Sequence, residues 1–445
     1  MAEALGLSAS YINLLENNQR SLSVRVLMSI SSVYGIDWRE LTANEAAHRL
    51  ADLRQAVQDP IFGDTVPDLQ ELRAAVDHAP ILVEKFLQLY RGHHDALRGL
   101  MQVSDRGGTV DLLLASPEAV IYDFFRDHGN HFPLLEAAAE EARARRPNTS
   151  EDHFLTLKDR LHQDHGIKVQ IRTIDDIGEA LRVYDQEHRV VNLSQALDLP
   201  NRCFQLAHIL CLIECDALLT EILNSSGLSS PQALSRLKVE LANYYAAAYL
   251  MPYAPFLKVA EHARYDVDRI ATAFSTSFEQ ACQRLTTLQR EGARGVPFFF
   301  LRFDKAGNVT KRFNATNFSL AEFGGACPVW NVQNAFYTPG VVLPQFVEMP
   351  EGDRFFTFAR TVHRPVFNWE TQDRRLALAL GCELKYAGRI GYAAKFNLDD
   401  PDLFNPIGIN CHLCPRQACS QRAHQPLFTE LSYDANRRGS TRYES

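Results

Sequence analysis

The sequence lacks the features that would tie it to a membrane or to secretion. Apolar runs such as Phe298–Leu301 and Leu376–Leu380 stop far short of the roughly 20 residues that a bilayer-spanning helix needs. No signal peptide is read at the start, and the cysteines number nine, an odd count in a long chain. This excludes a secreted disulfide framework and leads us to expect a cytoplasmic protein. Positive charge is also in short supply. With a formal net charge of −8, the whole chain is not drawn to nucleic acid or to an anionic membrane, so any DNA contact must be local and dimeric. No dinucleotide-binding glycine fingerprint and no Ser–His nucleophile arrangement is found.

What remains is an ordinary globular composition, 46% hydrophobic and 22% charged, in 445 residues, enough for two to four domains. The most chemical stretch is Ile409–Ala423, where Cys411, Cys414 and Cys419 stand in a C-x2-C-x4-C spacing. Closely spaced thiolates beside Gly408 and Pro415 suit a tight loop around zinc or an iron–sulfur cluster. A metal-free, redox-labile loop is the plainer alternative. Three cysteines leave one position open. Cys382 and Cys327 are the candidates to fill it, with His412 a weaker third.

Residues 1–45 read as short helices separated by glycine and polar turns. Ser8, Ser10, Tyr11, Asn13, Asn17 and Arg20 are placed outward to meet DNA. Residues 46–150 repeat leucine, valine and phenylalanine at helical spacing, broken by Pro60, Pro67 and Pro80, and read as a connector or dimerisation segment. Helices are expected at Pro117–Asp127 and Phe132–Arg145, the latter ending in a basic run that could meet a phosphate. Residues 151–295 combine a helix, short strands and two longer helices, one carrying His208 and the other Glu240 to Pro252. Residues 296–445 read as an α/β module with strands at Val296–Phe303, Val309–Phe313, Val341–Glu348, Arg354–Val362 and Leu376–Leu384, the last leading into the cysteine loop. Arg284, Arg290, Arg302, Lys311 and Arg312 are expected to face outward around this module, where they could hold an anion. The fold class is thus multi-domain and mainly α with α/β.

The first stretch, Ala4-Leu-Gly-Leu-Ser8 to Ile12-Asn-Leu-Leu-Glu16, resembles the XRE-type helix-turn-helix head, without that family's first helix. Operator DNA is the expected partner once that helix is supplied. The third segment resembles the ImmA/IrrE zinc peptidases through Glu240-Leu-Ala-Asn243 and Leu250-Met-Pro252. Where those enzymes carry H-E-x-x-H, this chain has His208, Ile209 and Leu212, so it lacks a base and a second imidazole ligand. We expect no catalytic residue and no enzyme here.

Together with Gly324-Gly-Ala-Cys-Pro-Val-Trp-Asn331, Leu380-Gly-Cys-Glu-Leu384 and the cysteine motif, the whole chain resembles the short-chain fatty acyl-CoA regulators, including those of propionate and methylcitrate metabolism. That resemblance implies a transcription factor sensing an acyl-CoA such as propionyl-CoA, acting as a homo-oligomer. It also implies a [4Fe–4S] cluster at the cysteines, with zinc as the alternative. With composition, it puts an acyl chain among Phe132, Tyr244 and Tyr245 and the phosphates near Arg284, Arg290 or Lys311. A redox-sensing or acyl-CoA-binding protein that does not touch DNA is the alternative reading.

Overall fold

The computed structural model describes residues 49–62, 67–106, 117–145, 153–318, 325–371, 373–417 and 419–426. The expected reading head, including Ser8, Ser10, Tyr11, Asn13, Asn17 and Arg20, lies outside the described residues. The chain divides between Leu114 and Ala115 into two compact units.

In the first unit, helical residues 49–57 are followed by α1 (Leu69–His78) and α2 (Pro80–Arg106). Asp68 starts α1 by accepting the amides of Gln70 and Glu71, each at 2.8 Å. Leu53 and Ala56 then meet Leu72, Val76, Val83 and Leu87 in a small core. Helices therefore form where the connector repeats apolar residues, but Leu69, Leu82 and Leu89 of that stripe are exposed.

The second unit opens with α3 (Pro117–Asp127), α4 (Pro133–Arg145) and α5 (His153–His165), then β1 (Lys168–Arg172) and the short α6 (Ile174–Ile177). Strands β2 (Arg182–Asp185) and β3 (Val190–Ser194) complete a three-stranded sheet in the order β1-β3-β2, with β1 parallel to β3. The helices α7 (Leu199–Glu214), α8 (Asp216–Ser225) and α9 (Pro231–Leu250) follow. Asp198 caps α7 through the Asn201 amide at 2.9 Å, and Ser230 caps α9, each just ahead of a proline in the first turn. Both helices are apolar on several sides and are buried on several sides. Leu206, Ile209, Leu210, Leu237 and Leu241 share one core with Leu135, Leu161 and Leu193, each contributing ~1.5–3 kcal/mol by leaving water.

Three further helices, α10 (Tyr253–His262), α11 (Val267–Phe274) and α12 (Phe278–Leu285), lead to a six-stranded sheet. Its strands are β4 (Phe299–Phe303), β5 (Val309–Asn314), β6 (Leu343–Glu348), β7 (Arg354–His363), β8 (Arg375–Glu383) and β9 (Phe404–Pro406), in the order β5-β4-β8-β7-β6-β9. Alternation sorts the strand side chains between two cores. Phe300, Phe356, Leu378, Leu380 and Cys382 join the core that holds helices α10–α12. Phe299, Phe355, Ala377 and Ala379 join a second core with Cys327, Trp330 and Ile407.

One expectation is corrected here. The strand at β8 does not lead into the cysteine loop. Three short 3-10 turns intervene, and β9 then adds parallel to β6, pairing Phe346 with Phe404. This carries the chain across the sheet and sets the loop beside the Cys327 segment.

Candidate functional site

The peptidase-like frame is assembled where α7 and α9 pack together. His208 Nδ1 lies 2.9 Å from Asn243 Oδ1, and Asn243 Nδ2 donates to Glu240 Oε2 at 3.3 Å. The same carboxylate oxygen accepts from Lys311 Nζ at 3.1 Å. Lys311 stands on β5, outside the helical frame. The Nε2 atom of His208 is buried without a partner. Burial, with the Arg182 cation nearby, pushes this imidazole down to about 4, against the pull of Asn243 and Glu240. Burial alone would raise the Glu240 carboxyl; Lys311 outweighs it and holds the group below the usual carboxylate range.

These residues do not fit the zinc of the peptidases. Ile209 is fully buried in the core, where a general base would stand. Leu212, one turn beyond His208, packs against the same core. The remaining carboxylate is already neutralised by an ammonium group.

A second buried network ties α4 to α9 and α12. Arg284 grips Glu136 with two hydrogen bonds, Nη1 to Oε1 at 2.6 Å and Nη2 to Oε2 at 2.9 Å. Tyr244 donates to Glu136 Oε1 at 2.7 Å and accepts from the Phe132 amide at 3.1 Å. Arg284 also donates to the Met251 carbonyl at 3.0 Å and to Thr287 Oγ1 at 3.0 Å. The expectation that Arg284 and Arg312 face outward is therefore overturned; both are buried. A polar group on a short helix that is covered on all sides must find its partners inside, and Glu136 supplies them. Arg302 is also largely covered and pairs with Glu279 at 2.8 Å. Arg290 is the most exposed of the expected ligand cations. It pairs with Glu140 at 2.8 Å and lies 4.2 Å from the Tyr253 ring centre.

Of the expected acyl wall, Phe132 and Tyr244 do meet, edge to face at 5.1 Å. Tyr245 does not join them, because neighbours in a helix sequence point about 100° apart. It turns instead towards Tyr249, with ring centres 6.3 Å apart, and its buried hydroxyl has no partner. Around this pair stand Arg143, which donates to the Tyr249 carbonyl at 2.9 Å, and Arg160. The Arg160 guanidinium lies 5.9 Å from the Tyr249 ring centre and pairs with Glu214 at 2.7 Å. Sequence reasoning missed Glu136 and Arg160, and it named Asn243 only as part of a motif. Glu136 offered one signal, a lone acid on the apolar side of α4.

The cysteine loop is organised from within. Arg422, only 5% exposed, donates to the carbonyls of Cys411 at 3.3 Å, Cys414 at 3.5 Å and Arg416. Arg416 in turn reaches the Glu348 carbonyl at 2.9 Å, anchoring the loop on β6. The Ala423 amide donates to Cys411 Sγ at 3.4 Å. Burial pushes the Cys327 thiol up, against the Gly408 and Val329 amides, and the nearby Cys411 and Cys414 push it the same way. At Gly408 an added Cβ would lie 2.6 Å from Cys414 Sγ. Cys382, by contrast, belongs to the core on the opposite face of the sheet from Cys327. Backbone amides aimed at sulfur and a glycine clearing room for it fit a thiolate-bound group. Among the described residues no three metal-ligating side chains close on one point.

No helix of the described residues is long and apolar enough to cross a membrane. A helical segment over residues 49–106, a peptidase-like frame with Ile209 and Leu212 in place of the base and second imidazole, and a sheet module bearing a cysteine loop follow one another in the chain. Residues 1–41 match the helix-turn-helix family, residues 162–286 the IrrE N-terminal-like domain, and residues 287–443 the short-chain fatty acyl coenzyme A regulator C-terminal domain. The chain is 39% identical to a propionyl-CoA carboxylase regulator of Cereibacter sphaeroides, over all of this chain and 94% of that one. It is 32% identical to the HTH-type transcriptional regulator PrpR of Mycobacterium tuberculosis, over all of this chain and 92% of that one. A solved Mycobacterium tuberculosis transcriptional regulator superposes with a TM-score of 0.71 at 35% identity, covering 74% of this chain and all of that one. The chain belongs to the short-chain fatty acyl coenzyme A regulators, a family of helix-turn-helix transcriptional regulators.

Proposed function

We propose that this protein is a DNA-binding regulator whose second unit senses a short-chain acyl-CoA of the propionyl-CoA kind and controls short-chain fatty acid metabolism. The observation that carries the effector reading is the Tyr245 hydroxyl, buried and without a partner in a frame that has lost its catalyst. Such a group costs about 1–3 kcal/mol unless something supplies its hydrogen bond. Arg143, beside the Tyr249 ring, and the more exposed Arg290 are the cations offered to the phosphates. Arg160, Arg284 and Lys311 already hold carboxylates in the interior, so they act as struts of the frame.

A sensor must bind its effector differently in two states, since equal affinity shifts nothing. Calorimetry with acetyl-, propionyl-, butyryl- and palmitoyl-CoA tests the reading. Short chains should bind best, and Tyr245→Phe should weaken them. Binding of none below about millimolar, or a preference for palmitoyl-CoA, would overturn it. A gel shift with and without propionyl-CoA, on a dimeric preparation, tests the coupling to DNA.

We also propose that Cys411, Cys414, Cys419 and Cys327 hold an iron–sulfur cluster, with structural zinc the competing occupant. When bound, a cluster supplies a centre sensitive to oxidation and electron transfer. The chain's own part would be to offer the Gly408 and Val329 amides to Cys327 and the Ala423 amide to Cys411, with Arg422 bracing the loop backbone.

A further inference from the structure

The peptidase resemblance implies a zinc ion that the residues present cannot hold, and a different cation lies against the Glu240 carboxylate. His208 and Glu240 persist, linked through Asn243, in the helices that the peptidase resemblance covers. The cation on Glu240 comes from elsewhere. Lys311 lies on β5, within the residues matched to the acyl coenzyme A regulator C-terminal domain. Its side chain is 12% exposed and that of Glu240 10%, so the pair is shielded from solvent.

We propose that the Lys311 ammonium is a tethered replacement for the lost metal, neutralising Glu240, the carboxylate that the peptidase resemblance offers as a ligand beside His208, and pinning the peptidase-like helices to the C-terminal sheet. A mobile divalent ion would couple charge balance in the frame to metal supply. A lysine on a neighbouring strand couples it to the position of that strand instead. Leaving Glu240 buried without its cation would be costly, so the frame is stable only with β5 docked. The inference does not depend on the identity of the effector.

The proposal predicts that the frame takes metal again once the ammonium is removed and a ligand restored. Position 212 lies four residues after His208 on the same helix face. The full chain with Cys411→Ser, Cys414→Ser and Cys419→Ser, so that the loop thiolates take no metal, is titrated with Co2+ and followed in the visible range. This background alone, and with Leu212→His, should show no bound ion. Leu212→His with Lys311→Met should bind one equivalent, with the weak bands of a nitrogen–oxygen site, and Glu240→Gln should abolish it.

Equal binding by Leu212→His with Lys311 intact would overturn the proposal, as would a folded double variant that takes no Co2+. If Lys311→Met alone fails to fold, Glu240→Gln with Lys311→Met should restore the circular dichroism and melting of the parent. Failure of that neutral pair to restore folding would show that Lys311 is not compensating Glu240, and would equally overturn the proposal.

Discussion

Glu136 and Arg284, 148 residues apart in sequence, meet in a two-pronged ion pair at 2.6 and 2.9 Å in the interior. Neither side chain is more than 1% exposed. The pair binds the second helix of the unit to the last helix before the sheet, and Tyr244 on α9 closes the network.

Breaking one side of this pair should be far worse than removing both. Arg284→Met should destabilise the protein by ~3–5 kcal/mol, because a buried carboxylate is left unpaired. Glu136→Leu combined with Arg284→Met should recover much of that loss. Urea denaturation of the three proteins checks it. The pair also sets an acid limit. Burial would raise the Glu136 carboxyl, but Arg284 and Tyr244 hold it below its usual 4.5. Its contribution is therefore complete above that value and is lost as pH falls further below it.

His208 gives a second and separate pH dependence. The unfolded chain protonates this imidazole near 6.5, whereas the folded protein, through burial and Arg182, does so only at about 4. The folded pKa is depressed, so stability is fully present above pH 6.5 and declines as pH falls towards 4. The shift corresponds to ~3 kcal/mol at most. His208→Gln should flatten that part of the stability–pH curve relative to the parent. A parallel curve for the variant would refute the assignment.

At the cysteine loop, the two faces of the sheet separate the candidates for the last thiolate. Protein purified without oxygen should be brown. Cys327→Ser, Cys411→Ser, Cys414→Ser and Cys419→Ser should each bleach it, while Cys382→Ser should leave the colour. Colourless protein with stoichiometric zinc would establish the zinc alternative. Loss of colour in Cys382→Ser with retention in Cys327→Ser would reverse the choice.

Gly381 is required for packing rather than for backbone freedom. It pairs with Phe299 across β4 and β8, and an added Cβ would lie 2.4 Å from the Phe299 ring and 2.9 Å from the Phe356 carbonyl. The ring is itself stacked on Phe318 at 4.0 Å and has little room to yield. Gly381→Ala should cost about 1–3 kcal/mol by overpacking, visible as a lowered melting temperature. An unchanged melting temperature would show that the sheet relaxes there.

The sequence by itself determined the order of elements and the loss of peptidase chemistry. Helical leucine spacing and alternation in the sheet strands are local signals, and both produced elements where they were expected. The departures Ile209 and Leu212 are legible because a helix face is defined by its spacing from the retained His208. Only the tertiary structure decided what each charged side chain does. Whether Arg284 meets a phosphate or Glu136, and whether Lys311 faces water or Glu240, depends on which distant helix or strand lies opposite. The same holds for the thiols: β9 pairs with β6 and brings the loop to Cys327, while strand alternation turns Cys382 into the other core. Electrostatic and packing partners separated by tens to hundreds of residues leave no periodic trace in the chain, so they are fixed by the fold.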